Sequence, residues 1–198
     1  MPGLSRRGAP AGARQAACRV YTSRVTHDKE NDMLMRRTAT TADLARLWEL
    51  RTRAVRATCA SHYPPDVIET WCAAPPPVSL PLLVQAGGTL VVEEDGQVIG
   101  YAILNQETGE VDAAFVEPAH QGRGIALGLL RELETMARRR GLARMFLSAS
   151  LNAVPFYERA GFRSVREEVY PHRSGIGIAS VFMEKPLPCR GMQADHAG

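Results

Sequence analysis

Apolar residues recur along the chain at two spacings, and the sharpest change between them falls near residue 120. From Ile125 onward the apolar positions Leu129, Leu130, Leu133, Met136 and Ala137 follow helical intervals and end in the basic turn Arg138, Arg139 and Arg140 before Gly141. That is the pattern of a helix with one core face and a glycine stop. Just ahead of it, Val111 to Val116 is apolar or small with one acid, a buried strand that Pro118 cannot extend. Earlier in the chain, Leu34 to Ala39 reads as a first strand, and Thr40 or Thr41 can cap a helix from Ala42 to about Ala60. Leu44, Leu47, Trp48, Arg51, Val55, Thr58 and Cys59 share one side of that helix. The turn Ser61-His62-Tyr63-Pro64-Pro65 leads into a short helix ending at Trp71, and the connector Pro75-Pro76-Pro77 into one more helical turn from Ser79 to Gln85.

Thr89 to Glu93 and Gln97 to Asn105 are apolar, β-branched strands around Asp95-Gly96, a strong hairpin signal. Met145 to Ser148 is the strand after the long helix, Ala153 to Ala160 the next helix, and Phe162 to Val169 with Ala179 to Lys185 the closing pair. Antiparallel strands followed by strand, helix and strand predict an α/β fold, with a mixed, mostly antiparallel central sheet flanked by helices on both faces. Residues 33–188 are expected to form this domain, with 1–32 a disordered arm and 189–198 a flexible tail.

Composition narrows the function classes. The 198 residues are 45% hydrophobic, which suits one globular domain. Gly87 and Gly88 interrupt the best apolar run, between Leu80 and Val92, so no membrane span is expected. A net charge of +3 and a pI near 8.8 suit an anionic ligand and do not call for nucleic acid. Cys18, Cys59, Cys72 and Cys189 are scattered without a Cys-x-x-Cys pair. Neither a metal site nor a disulfide framework is expected, and a reducing cytoplasm fits; Cys59 reads as a small core thiol. The segment from Met1 to Thr26 carries five arginines and no acid, the composition of an organelle-targeting segment. Gly3, Gly8, Pro10 and Gly12 spoil an amphipathic helix there, and a disordered tail is the preferred reading.

Gly122 and Gly124 stand where the long helix begins, so backbone amides are uncovered at the positive end of its dipole and a phosphate fits there. A P-loop would need Gly-Lys-Ser/Thr, and a dinucleotide fingerprint a third glycine at position 127; that position is Leu127, and Gly128 is off register. Gln121-Gly122-Arg123-Gly124-Ile125-Ala126 instead resembles the Gln/Arg-x-x-Gly-x-Gly/Ala signature of the Gcn5-related N-acetyltransferase (GNAT) family. Asn152-Ala153-Val154-Pro155-Phe156-Tyr157-Glu158-Arg159-Ala160-Gly161-Phe162 is similar to that family's Asn-Ala-x-x-Phe-Tyr-x-x-x-Gly-Phe segment.

The resemblance implies an acetyltransferase domain over roughly Leu34 to Leu187, with acetyl-CoA as acyl donor. Its pyrophosphate would lie on the amides of Gln121, Gly122, Arg123, Gly124, Ile125 and Ala126, where Arg123 either adds charge or stays solvated. The pantetheine arm would pair with the strand end at Phe115 and Val116, and the amide near Val116 would donate to the thioester oxygen. Asn152 would bond the pantetheine, cap the next helix, or do both. Tyr157 matches the tyrosine that protonates the departing thiolate, and Phe156 is expected in the core. His62 and Tyr63 lie in the turn that the family uses to wall the acceptor cleft. No family position defines the base. Of Glu110, Asp112, Glu117 and His120, Asp112 is the sharpest candidate, an acid in a strand expected to be buried; the other reading is a structural carboxylate paired with an arginine or facing water. The function implied is acetyl transfer to a primary amine of a small molecule or peptide, by direct attack in a ternary complex. The alternative is an acyl-CoA-binding sensor without turnover. No nucleic-acid or membrane partner is expected, and a homodimer is left open.

Overall fold

The computed structural model describes residues 34–188; the expected arm, the expected tail, Cys18 and Cys189 lie outside the described residues. In chain order the elements are β1 (Met35–Thr38), α1 (Leu44–Cys59), α2 (Pro65–Ala73), α3 (Leu80–Gln85), β2 (Thr89–Glu94), β3 (Gln97–Leu104), β4 (Val111–Val116), α4 (Ile125–Arg139), β5 (Arg144–Ser150), α5 (Val154–Arg159), β6 (Arg163–Pro171) and β7 (Gly177–Pro186). Single 3-10 turns at Thr41–Asp43, Pro118–His120 and Leu151–Ala153 precede α1, the glycine loop and α5. The order matches the expectation, with ends shifted by a few residues. Thr40 stands at the N-cap as expected, in a capping box with Asp43, and its N–H and hydroxyl both donate to the Asp43 carboxylate, at 2.7 and 3.1 Å.

The strands form an antiparallel sheet in the order β1-β2-β3-β4 and a second in the order β5-β7-β6. The expected mixed sheet is therefore nearly two sheets, joined by one parallel bridge between Glu110 and Phe146. At the β2–β3 hairpin, Asp95 has φ 50° and Gly96 φ 75°, the paired left-handed residues of a two-residue turn that follows strand twist.

Both faces of the first sheet are covered, which explains the nearly continuous apolar runs of β2 and β3. Leu90, Val92, Ala102, Leu104, Val111 and Val116 pack with Ile125, Leu129 and Leu133 of α4. Val91, Val98, Tyr101 and Ile103 pack with Leu47 and Leu50 of α1 and Leu80 and Val84 of α3. Gly100 lets α4 approach closely: a Cβ there would lie 3.1 Å from Ile125 Cγ2 and 3.3 Å from Val116 Cγ2. This contact ties the first residue of α4 to the last residue of β4.

Candidate active site

The two sheets part between β4 and β5. Phe146 N–H donates to Gly109 C=O at 3.1 Å, beside the Glu110–Phe146 bridge, and neither strand pairs with the other beyond it. The free edge of β4 is legible from its register. Glu117 N–H donates to Ile99 C=O at 2.8 Å, and Val116 lies opposite Gly100. Alternate residues of an antiparallel strand turn their amides to opposite edges, so Val116 presents its N–H and C=O to the gap. Gln121 Nε2 donates to that C=O at 3.4 Å. Phe115, opposite Tyr101, spends its backbone on β3; only its ring, 5.8 Å from that of Tyr101, is left for a ligand.

The glycine loop closes the same end of the gap. Gly122 and Gly124 have φ 79° and 76°, and a Cβ on either would meet nothing within 4 Å, so glycine serves backbone conformation rather than space. The first α4 bond outside its own span is Gly128 N–H to Gly124 C=O, and among the described residues the amides of Gly122, Gly124, Ile125, Ala126 and Leu127 have no acceptor. Arg123 is not simply solvated: its Nη1 and Nη2 lie 3.1 and 2.7 Å from Glu94. That bidentate pair, with His120 adding to it and outweighing the opposing effect of burial, leaves Glu94 below the usual carboxylate range.

Of the candidate bases, Glu117 is bound by Arg46 at 2.9 Å and Arg53 at 2.6 Å. Burial alone would raise its pKa, but Arg53, Arg46 and His120 outweigh it and hold it low. His120 Nε2 lies 3.0 Å from Glu94. Asp112 differs from both. The β3–β4 register slips between Ile103 and Leu104, setting Asp112 as the extra residue of a bulge. Its side chain is exposed rather than buried as expected, and among the described residues it has no arginine partner. Enough protein still surrounds it to thin its hydration, and that burial, with Glu110 second, pushes its pKa up to about 6.

Tyr157 is 8% exposed and belongs to the core under α4, its ring edge-on to Phe156 at 5.1 Å and to Phe162 at 5.6 Å. Phe156, expected in the core, is only half-buried. Burial pushes the Tyr157 hydroxyl well above the usual tyrosine range, and no partner among the described residues draws it back. Thr89 Oγ1 and His120 Nδ1 are the sealed, unpartnered side-chain atoms of the described residues, so the unpaired Tyr157 hydroxyl keeps contact with accessible space. Asn152 does not cap α5, whose preceding residue is Ala153. Its Oδ1 accepts from Cys59 Sγ at 3.3 Å, which leaves its N–H donors free among the described residues. Cys59 is a buried core thiol, as expected, and burial pushes its pKa up.

In the α1–α2 turn, His62 is exposed and its Nδ1 lies 2.8 Å from Ser61 Oγ. Tyr63 corrects the expectation of an acceptor-binding group. It is buried, and its hydroxyl donates to Ala179 C=O at 2.7 Å and accepts from Leu151 N–H at 2.8 Å. It is a strut fastening this turn to β7 and to the 3-10 turn ahead of α5. Tyr63→Phe would strand that amide and carbonyl, and is expected to cost about 1–3 kcal/mol in denaturant unfolding; an unchanged unfolding free energy would contradict the strut. Sequence reasoning also missed His172, Arg173 and Tyr170 near the β6–β7 turn, where no motif stands. The one signal on that side was Arg51, an arginine within the apolar stripe of α1.

A family model described as an acetyltransferase (GNAT) domain matches residues 59–187. The uncharacterized N-acetyltransferase YafP of Escherichia coli (strain K12) is 27% identical over 126 residues, 64% of this chain and 79% of that protein. Among solved structures, a Gcn5-related N-acetyltransferase from Rhodopseudomonas palustris is similar in fold, with a TM-score of 0.69 at 24% identity over 77% of this chain and 95% of its own. The structure of yncA from Salmonella typhimurium with its cofactor acetyl-CoA has a TM-score of 0.57 at 25% identity, over 83% and 96% of the two chains. With that family model spanning most of the fold, and the glycine loop, the parted strands and the Asn152–Phe162 segment all inside it, the chain belongs to the acetyltransferase (GNAT) family.

Proposed function

We propose that this N-acetyltransferase moves an acetyl group from acetyl-CoA to a primary amine of a small-molecule or peptide acceptor, by direct attack within a ternary complex. One observation carries the reading: at one end of the β4–β5 gap, unpaired amides suited to a pyrophosphate adjoin a free strand edge suited to an amide-bearing arm. Gly122, Gly124, Ile125 and Ala126 would hold the pyrophosphate. Arg123 would exchange its Glu94 contact for phosphate oxygens. The arm would lie along β4, with the free amide donors of Asn152 on its other side. Acetyl-CoA supplies the activated thioester; the chain supplies positioning and protons. Val116 N–H would donate to the thioester oxygen, where negative charge develops. Asp112, directly or through a water, would take a proton from the amine, and the Tyr157 hydroxyl would return one to the leaving sulfur. Thiol release from acetyl-CoA tests the reading: it must depend on an added amine, and release that needs none would contradict direct attack.

The role of Asp112 has a definite sign in pH. A base with a pKa of about 6 works when deprotonated, so kcat/KM should rise through about pH 6 and level above it. Asp112→Asn should lower the plateau and remove this limb; a variant that kept the wild-type limb would exclude Asp112. The linked effect on stability is opposite to that of most carboxylates. With the folded pKa raised above 3.8 to about 6, the folded state binds more protons between those values. Rising pH therefore removes stability in that window, and Asp112→Asn should flatten the slope there.

A further inference from the structure

Arg51 is 4% exposed, on the face of α1 that buries Leu47, Leu50, Ala54, Val55 and Cys59. A guanidinium withdrawn from water normally has a carboxylate against it, because a buried charge without a counter-charge is strongly unfavourable. Arg46 and Arg53 of the same helix both bind Glu117. Arg51 has no carboxylate among the described residues, and its one hydrogen bond runs from Nη1 to Trp71 C=O at 3.1 Å. Aromatic rings flank it instead: its guanidinium carbon is 4.5 Å from the Trp48 ring centroid and 5.5 Å from that of Trp71.

A second cation lies on the same indole. Arg173 sits with its guanidinium carbon 4.8 Å from the Trp48 centroid, fixed by an Nε bond of 2.7 Å to Pro75 C=O. It too has no carboxylate partner among the described residues. His172, edge-on to Trp71 at 6.5 Å, accepts from Ser174 N–H at Nδ1. Burial first, then Arg173 and Arg51, push its pKa down to about 4, so it is neutral and supplies no counter-charge. Two guanidiniums thus share Trp48 with no carboxylate partner among the described residues.

The geometry points to the Trp48–Arg51–Trp71 stack, with Arg173, as the subsite for a carboxylate carried by the acceptor, whose class is then an amine of the amino-acid kind. This rests on the acyl-transfer reading above. A guanidinium held over indole rings, with one N–H spent on Trp71 C=O, keeps other N–H groups for a planar anion, the match that favours arginine with carboxylates. Opposite charge for the ammonium end is near, since Tyr170 is within electrostatic reach of Glu110 and Asp112 as well as of Arg173. An acceptor bearing both an ammonium and a carboxylate complements both ends.

The chain's 2 tryptophans are Trp48 and Trp71, so indole emission reads this subsite directly. Glycine, L-methionine, L-glutamate and L-phenylalanine would each be titrated beside its carboxamide, with inorganic phosphate as a third arm and CoA present. At least one acid should change the emission saturably, with an affinity about tenfold or more above its amide, and Arg51→Met should erase that preference without altering CoA affinity. Arg51→Met should also leave the thermal midpoint unchanged or raised, since it removes a buried, uncompensated charge. Acids and amides that behave alike across the panel, a response to phosphate alone, a preference that survives Arg51→Met, or a lowered midpoint would each overturn the subsite. CoA affinity separates the two readings: a wild type that binds no CoA overturns acyl transfer, whereas one that binds CoA and shows no preference for acids overturns the carboxylate subsite.

Discussion

Replacing Gly124 by Asp is expected to lower acetyl-CoA affinity by about a hundredfold or more while leaving the fold intact. The fold should survive because a Cβ at Gly124 meets nothing within 4 Å, and because aspartate, more than most residues, tolerates the left-handed conformation at φ 76°. A carboxylate just ahead of α4 even complements the helix dipole. Binding should fail for the same reason, since the new carboxylate occupies the place proposed for a pyrophosphate oxygen and repels the rest. Two unit charges about 4 Å apart at an effective dielectric of about 20 repel by roughly 4 kcal/mol, more than the roughly 2.8 kcal/mol that a hundredfold loss requires. Titration calorimetry on the variant, with circular dichroism to verify folding, is the measurement. Undiminished affinity in a folded variant would remove the pyrophosphate from this loop.

Tyr157→Phe is expected to slow the chemical step by about 10²-fold or more with little change in acetyl-CoA affinity, the signature of a lost proton donor. The substitution is clean because the ring contacts with Phe156 and Phe162 persist in phenylalanine. The hydroxyl has no partner among the described residues to strand, so stability should be unchanged or slightly raised. Burial keeps this phenol protonated at neutral pH, the state that a general acid requires. Single-turnover rates with an identified acceptor separate the chemistry from slow product release. A rate equal to wild type would leave Tyr157 as a packing residue.

Features set by local chemistry were legible in the chain. Asp95-Gly96 specified its turn, the spacing from Ile125 specified α4, and the two glycines ahead of it specified a left-handed loop with unpaired amides, because each depends on neighbours within one turn. What escaped depends on residues far apart in sequence. Tyr63 was assigned to the acceptor cleft from its turn, but its role comes from Leu151 and Ala179, 88 and 116 residues away. Asp112 was expected inside a regular strand, and a one-residue slip against β3 turned it outward, which no feature of its own strand encodes. Asn152 stands one residue too early to cap α5 once Leu151–Ala153 closes as a 3-10 turn. Phe156, expected in the core, is half-buried beside a buried Tyr157, because a helix as short as Val154–Arg159 has too few apolar positions to define a face. Arg51 was visible as an exception on an apolar stripe, but only the folded chain reveals that indoles rather than a carboxylate meet its charge among the described residues.

The most direct test of acetyl transfer by this chain is amine-dependent release of CoA thiol from acetyl-CoA, with the product identified by mass spectrometry. The acceptors would be amino acids, other small primary amines and peptides. Thiol should appear only when an effective amine is present, in equal amount to the N-acetylated amine, with no acetyl group left on the protein. Saturable acetyl-CoA binding with no thiol release for any amine would instead make the chain a sensor built on this fold and contradict the account.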